Sequence, residues 1–142
     1  MKILFLGDIV GDVGCNSVKF NLSKIINDKK IDFVVVNGEN SYTTGVGISE
    51  NISNELFACG VDVITSGNHI WDQKETFNHI KNEKRLLRPM NMSKELPGQG
   101  FGIFKKNGFN VGVLNLMGNV FMRKCDDVFV KSKEFIENNK LK

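Results

Sequence analysis

Cysteine is scarce in this chain: three residues, Cys15, Cys59 and Cys125, odd in number and far apart. They form no C-x-x-C pair and no disulfide framework, so reduced thiols in a cytoplasmic protein are the plain expectation. Long hydrophobic runs are lacking too. The chain opens with Met1-Lys2 and four apolar residues, but Asp8 ends that run well short of a signal-peptide core. No stretch approaches membrane-spanning length, which excludes a membrane partner from the expectation. Internal repeats, low-complexity segments and linkers rich in Pro, Gly and Ser are absent, and 142 residues suffice for one domain at most. No excess of one charge stands out: 19 Lys and Arg against 16 Asp and Glu give +3, spread along the chain rather than gathered in a stripe. A stable nucleic-acid partner is therefore not expected. Histidine is rarer still, present only as His69 and His79.

What is present is an ordinary globular composition, 41% hydrophobic and 25% charged, with a regular alternation of elements. Residues 2–7 read as a short strand, apolar all round as if helices covered both faces. Val18, Leu22, Ile25 and Ile26 recur at helical spacing and predict an amphipathic helix over 15–29. A second strand follows at 32–37, then a polar, glycine-bearing loop at 41–47. Ser49 is a predicted N-cap for a helix carrying Ile48, Ile52, Leu56 and Cys59 on one face and stopped by Gly60. A third strand is expected at 61–65. Asp72 and Glu75 form an Asp-x-x-Glu box that predicts a helix start, with Phe77 and Ile80 inward. This βαβαβα order predicts a doubly wound parallel sheet with right-handed crossovers. Beyond Arg88-Pro89 the pattern becomes a hairpin, 101–106 and 109–116, joined by Asn107-Gly108 in a type I′ turn. Residues 115–122 read as a loop, and 126–139 as a helix with Val128, Phe135 and Ile136 inward.

Three polar signatures follow the three apolar runs: Gly7-Asp8, Gly38-Glu39-Asn40 and Gly67-Asn68-His69. Parallel strands would bring all three out at carboxyl ends, where open α/β sheets bind ligands. Hydrolytic divalent metals need fixed ligands, an open coordination position and often a second ion about 3.5–4 Å away. Asp8 offers a carboxylate, Glu39 a carboxylate able to bridge two ions, and Asn40 and Asn68 neutral carbonyl oxygens. Mixed carboxylate, amide and imidazole ligation suits iron, manganese or zinc. His69 follows Asn68 directly, and imidazole titrates close enough to neutrality to protonate a leaving alkoxide or to hold a phosphoryl oxygen. Asp72 is a candidate partner for it, although the helix cap is its better-supported role. Each signature alone also reads as turn chemistry; three on consecutive strand ends favour a metal.

The strings Met1-Lys2-Ile3-Leu4-Phe5-Leu6-Gly7-Asp8-Ile9-Val10-Gly11, Asn37-Gly38-Glu39-Asn40 and Gly67-Asn68-His69-Ile70-Trp71-Asp72 carry a family resemblance. So do Leu86-Leu87-Arg88-Pro89 with Asn91, and Asn115-Leu116-Met117-Gly118 with Val120-Phe121-Met122. Along essentially its whole length the chain resembles the YmdB-like branch of the calcineurin-type metallophosphoesterases. That resemblance implies the N-terminal half of a layered α/β sandwich, a mostly parallel sheet plus a hairpin. It implies a two-metal phosphodiesterase, with phosphodiesters such as 2′,3′-cyclic nucleotides as the substrate class. Asp8, Glu39, Asn40 and Asn68 match the family's metal ligands, and His69 its general acid; iron or manganese is the expected metal pair, with zinc the alternative.

The departure lies at the end. The family adds later histidine ligands, including a His-x-His pair, whereas no histidine follows His79 here. The expectation is thus a single, incomplete domain over 1–142 with an incomplete second metal site, an apolar face left exposed, and self-association into a homo-oligomer. The alternative is a non-catalytic α/β binding module keeping one weak metal or nucleotide site. The spacing of Gly7, Gly11 and Gly14 fits neither dinucleotide nor Walker A patterns.

Overall fold

Runs of β-branched and apolar residues separated by amphipathic stretches build alternating strands and helices, described for residues 1–139 of a computed structural model. In chain order these are β1 (Ile3–Leu6), α1 (Gly11–Lys29), β2 (Phe33–Asn37), α2 (Glu50–Ala58) and β3 (Val63–Thr65). A 3-10 turn at Asn68–Trp71 leads to α3 (Thr76–Asn82), β4 (Leu86–Leu87), β5 (Phe101–Lys106), β6 (Phe109–Leu114) and α4 (Val128–Asn138). The fold is mixed α/β: a four-stranded parallel sheet, a two-stranded antiparallel hairpin and four helices.

Strand order in the parallel sheet is β1-β2-β3-β4. Right-handed crossovers that always step the same way place every helix on the same face, so the sheet is singly wound, not doubly wound as its element order suggests. Side-chain alternation confirms the layering. Leu4, Leu6, Val34, Val36, Ile64 and Leu86 pack with Cys15, Leu22, Ile52, Leu56 and Ile80 from the helices. Phe33, Val35, Val63 and Leu87 face the other way, onto Phe104, Val111 and Val113 of the hairpin. Each fully buried Phe or Leu in these layers contributes about 1.5–3 kcal/mol.

The hairpin does not reach across the whole sheet. A parallel bridge from Leu87 to Gln99 sets the start of β5 beside β4, at the far edge from β1. Ile3 and Phe5 pair in register with Phe33 and Val35, yet remain 49% and 61% exposed. The expected burial of β1 on both faces is therefore corrected: only its helix side is covered.

Local signals are expressed as their chemistry requires. Ser49 Oγ accepts from Ile52 N at 3.2 Å and caps α2, while Gly60, at φ +112°, lets the chain turn after it. Asn107 and Gly108 lie at φ 50° and 78°, the left-handed pair a type I′ turn needs. Four readings change. α1 begins at Gly11 rather than near 15. α3 begins at Thr76 rather than at an Asp72 box, and Phe77 is exposed against the Trp71 ring. Leu86–Leu87 forms a fourth parallel strand. No α4 residue is fully buried: Phe135 rests on Phe101 with ring centroids 4.6 Å apart, and Ile136 faces solvent.

Candidate metal centre

Backbone hydrogen bonds tie the three strand-end turns into one rim. Ile9 N donates to Asn37 O at 3.0 Å, Gly11 N to Asn40 O at 2.9 Å, and Gly38 N to Thr65 O at 3.0 Å. The turn after β1 is thereby held against the turn after β2, and that against the end of β3.

Asp8 is exposed and has φ 38°, a left-handed conformation that Asp tolerates better than most residues and that often marks a functional position. Its Oδ1 accepts from Asn40 Nδ2 at 2.8 Å. With its nitrogen committed, the Asn40 amide has an oxygen without a partner among the described residues. Glu39 is half-buried, and its Oε2 is enclosed without any hydrogen-bond partner among the described residues. An unpaired buried carboxylate oxygen is unfavourable by several kcal/mol unless a cation compensates it. Gly67 explains how it fits. A Cβ at position 67 would overlap the Glu39 carboxylate, 2.7 Å from both Cδ and Oε1.

Glu39 and Asn68 line the same cavity of about 400 Å³, floored by Asn37, Thr65, Ser66 and Asn115. Asp8 instead lines a neighbouring groove of about 270 Å³ between β1 and α1. The structure thus pairs Asp8 with Asn40 and Glu39 with Asn68 on one rim, without closing all four around a single void. Among the described residues no three His, Cys, Asp or Glu side chains gather as a metal-binding group. Two carboxylates and two amide oxygens form this donor set; as hard oxygen ligands with an orphaned buried carboxylate among them, they fit a divalent cation.

His69 stands on the 3-10 turn, its Nδ1 2.5 Å from Asp72 Oδ2. The carboxylate accepts the Nδ1 proton, which fixes the tautomer and leaves Nε2 available for proton transfer. Asp72 is therefore the partner of His69 rather than a cap of α3. His79 is not at the rim: its Nε2 lies 2.7 Å from Ser53 Oγ, joining α2 to α3. The roles of Gly67 and the cavity-facing Asn115 are what sequence reasoning missed; the strings 67–72 and 115–118 signalled both residues without giving either a role.

The thiols lie apart from this chemistry. Burial raises the Cys15 thiol, whose Sγ donates to Ser41 O at 3.2 Å, and burial likewise raises Cys59.

Parallel strands ending in an oxygen-lined, partly unsatisfied rim define an α/β protein with a candidate cation site. The chain belongs to the YmdB-like protein family, whose model matches residues 4–142. It is 42% identical over 136 residues to the 2′,3′-cyclic-nucleotide 2′-phosphodiesterase of Bacillus subtilis (strain 168), covering 96% of this chain and 51% of that protein. Among solved structures, a novel phosphatase from Mycoplasma pneumoniae superposes with a TM-score of 0.89 at 34% identity, over 98% of this chain and 51% of the other. A protein from Thermus thermophilus, described as hypothetical, superposes with a TM-score of 0.90 at 32% identity, over 98% and 54%. The chain spans about half the length of these relatives. No helix among the described residues is long and apolar enough to cross a membrane.

Proposed function

We propose that this chain carries part of the active site of a metal-dependent phosphodiesterase acting on 2′,3′-cyclic nucleotides. The observation that carries the reading is the buried, unpartnered Glu39 Oε2 on a rim of neutral oxygen donors. Asp8, Glu39, Asn40 and Asn68 would supply ligands to two divalent ions, the second incompletely held, with iron or manganese preferred and zinc the alternative. Such an ion supplies Lewis-acid polarisation of a phosphoryl oxygen and acidifies water at its open position. Glu39, fixed by the absent side chain at Gly67, holds its carboxylate where that charge is needed. His69, oriented through Nδ1 by Asp72, would act with its ring doubly protonated, giving the Nε2 proton to the ribose oxygen as a water oxygen bonds to phosphorus and the P–O bond to the ribose breaks.

Two carboxylates and two amides make a reasonable first site and a poor second one, because two like-charged ions need more compensation than these donors give. We propose that residues 1–142 are one domain whose full activity draws on further imidazole ligands. The test is hydrolysis of bis-p-nitrophenyl phosphate and a 2′,3′-cyclic nucleotide with added manganese. The chain alone is expected to be nearly inactive. Joined to the second half of the Bacillus subtilis relative, it is expected to turn over and to lose that turnover with Glu39→Gln. Strong hydrolysis by the isolated chain, independent of Glu39, would overturn the reading. Metal binding without turnover in the joined protein would favour a non-catalytic binding module.

A further inference from the structure

Asn115, directly after β6, is 6% exposed and makes contacts that use only half of its side chain. Its Nδ2 donates to Ser66 O and to Leu87 O, both at 2.9 Å. Its backbone N–H donates to Gly100 O and its carbonyl accepts from Met90 N, each at 2.8 Å. Because both side-chain partners are carbonyls, which cannot donate, the amide can sit in one orientation only. Oδ1 therefore points away from them, and it has no hydrogen-bond partner among the described residues. It is also not one of the fully enclosed unpartnered side-chain atoms, which are Glu39 Oε2 and Trp71 Nε1. Asn115 lines the cavity it shares with Glu39 and Asn68, so Oδ1 opens onto that cavity.

A second buried asparagine shows the contrast. Asn91 Oδ1 accepts from Met117 N at 2.9 Å, and its Nδ2 donates to Met117 O at 2.7 Å and Asp126 O at 3.0 Å. That residue is saturated and clamps a loop. Asn115 is buried too, at 6% against 0% exposed for Asn91, with one acceptor unused.

We infer that Asn115 is a positioning residue of the metal rim, acting through both ends of its amide. Nδ2 holds Ser66, the residue before Gly67-Asn68, against the end of β4 and so sets where Asn68 presents its oxygen. Oδ1 faces the cavity as an acceptor. Phosphoryl oxygens are themselves acceptors and are not its partner. A hydrated divalent cation seated against Glu39 and Asn68 presents O–H groups outward, and Oδ1 takes one of them. The inference rests on the metal reading above.

The test uses manganese alone as the probe, on the whole chain. Asn115→Ala is expected to weaken Mn²⁺ affinity by about 10–100-fold, the usual effect of losing an outer partner of a metal site. Asp62→Asn is the control. It breaks the 2.6 Å pair with Lys106 at the opposite end of β3 and should leave affinity within about twofold. A second measurement needs no variant: substoichiometric Mn²⁺ should broaden the side-chain amide signals of Asn68 and Asn115 together, while Asn51 on α2 stays sharp. If Asn68 broadens, Asn115 stays sharp and Asn115→Ala keeps wild-type affinity, the role of Asn115 is refuted and the metal site stands. If Mn²⁺ broadens neither, the metal reading falls and this inference with it.

Discussion

Gly67→Ala is the sharpest perturbation of the rim, because its effect follows from one contact. The added methyl meets the Glu39 carboxylate, within 2.7 Å of Cδ and of Oε1. Either the carboxylate swings out of its place or the turn after β3 moves. Overpacking of this kind destabilises by about 1–3 kcal/mol. That corresponds to a Tm lowered by about 2–12 °C at this chain length. The effect on metal should be larger in proportion, since Glu39 is the central donor: Mn²⁺ affinity should fall at least about tenfold. Circular dichroism melting and calorimetric titration on the same preparation measure both. Unchanged melting together with unchanged Mn²⁺ affinity would refute the claim that Gly67 makes room for Glu39.

Three other outcomes are expected. In the joined protein, His69→Ala should lower kcat by about 10²–10⁴-fold and Asp72→Asn should lower it less, with little change in KM in either; unchanged kcat in both variants would deny the pair its role in proton transfer. Phe5→Lys should reduce self-association seen by light scattering, because Phe5 and Ile3 form the apolar strip the hairpin leaves open, and an already monomeric wild type would contradict this. Burial disfavours the thiolate of Cys15, so it should stay protonated and slow toward iodoacetamide around neutral pH and react rapidly once the chain is unfolded; rapid labelling of the folded chain would refute its placement.

The candidate rim was largely legible because its residues sit where periodicity changes. The three polar signatures mark the carboxyl ends of β1, β2 and β3, and strand ends are legible once apolar runs are. The Ser49 cap and the Asn107-Gly108 turn were equally legible, since each depends on the local chemistry of a few residues. β4 was not: two residues, Leu86–Leu87, have no period to detect. The winding of the sheet was hidden because element order fixes neither strand order nor the face each helix takes. Asp72 was misassigned because an Asp-x-x-Glu box and a His-x-x-Asp pair share that residue, and only the 3-10 turn at Asn68–Trp71 decides between them. The role of Gly67, though its string was noticed, was invisible for a similar reason. Its requirement comes from a carboxylate 28 positions earlier in the chain, and no local rule reports that contact.

The central claim is that the rim is a cation site organised by Glu39, and a titration of the metal-free chain with Mn²⁺ tests it most directly. Replacing the unpartnered buried carboxylate with an amide removes a penalty and a ligand together. Metal-free Glu39→Gln should therefore melt at or above the wild-type temperature and show no saturable Mn²⁺ binding, whereas wild type binds Mn²⁺ and is stabilised by it. Wild-type and Glu39→Gln chains with the same Mn²⁺ isotherm, or a wild type that Mn²⁺ neither binds nor stabilises, would contradict the account.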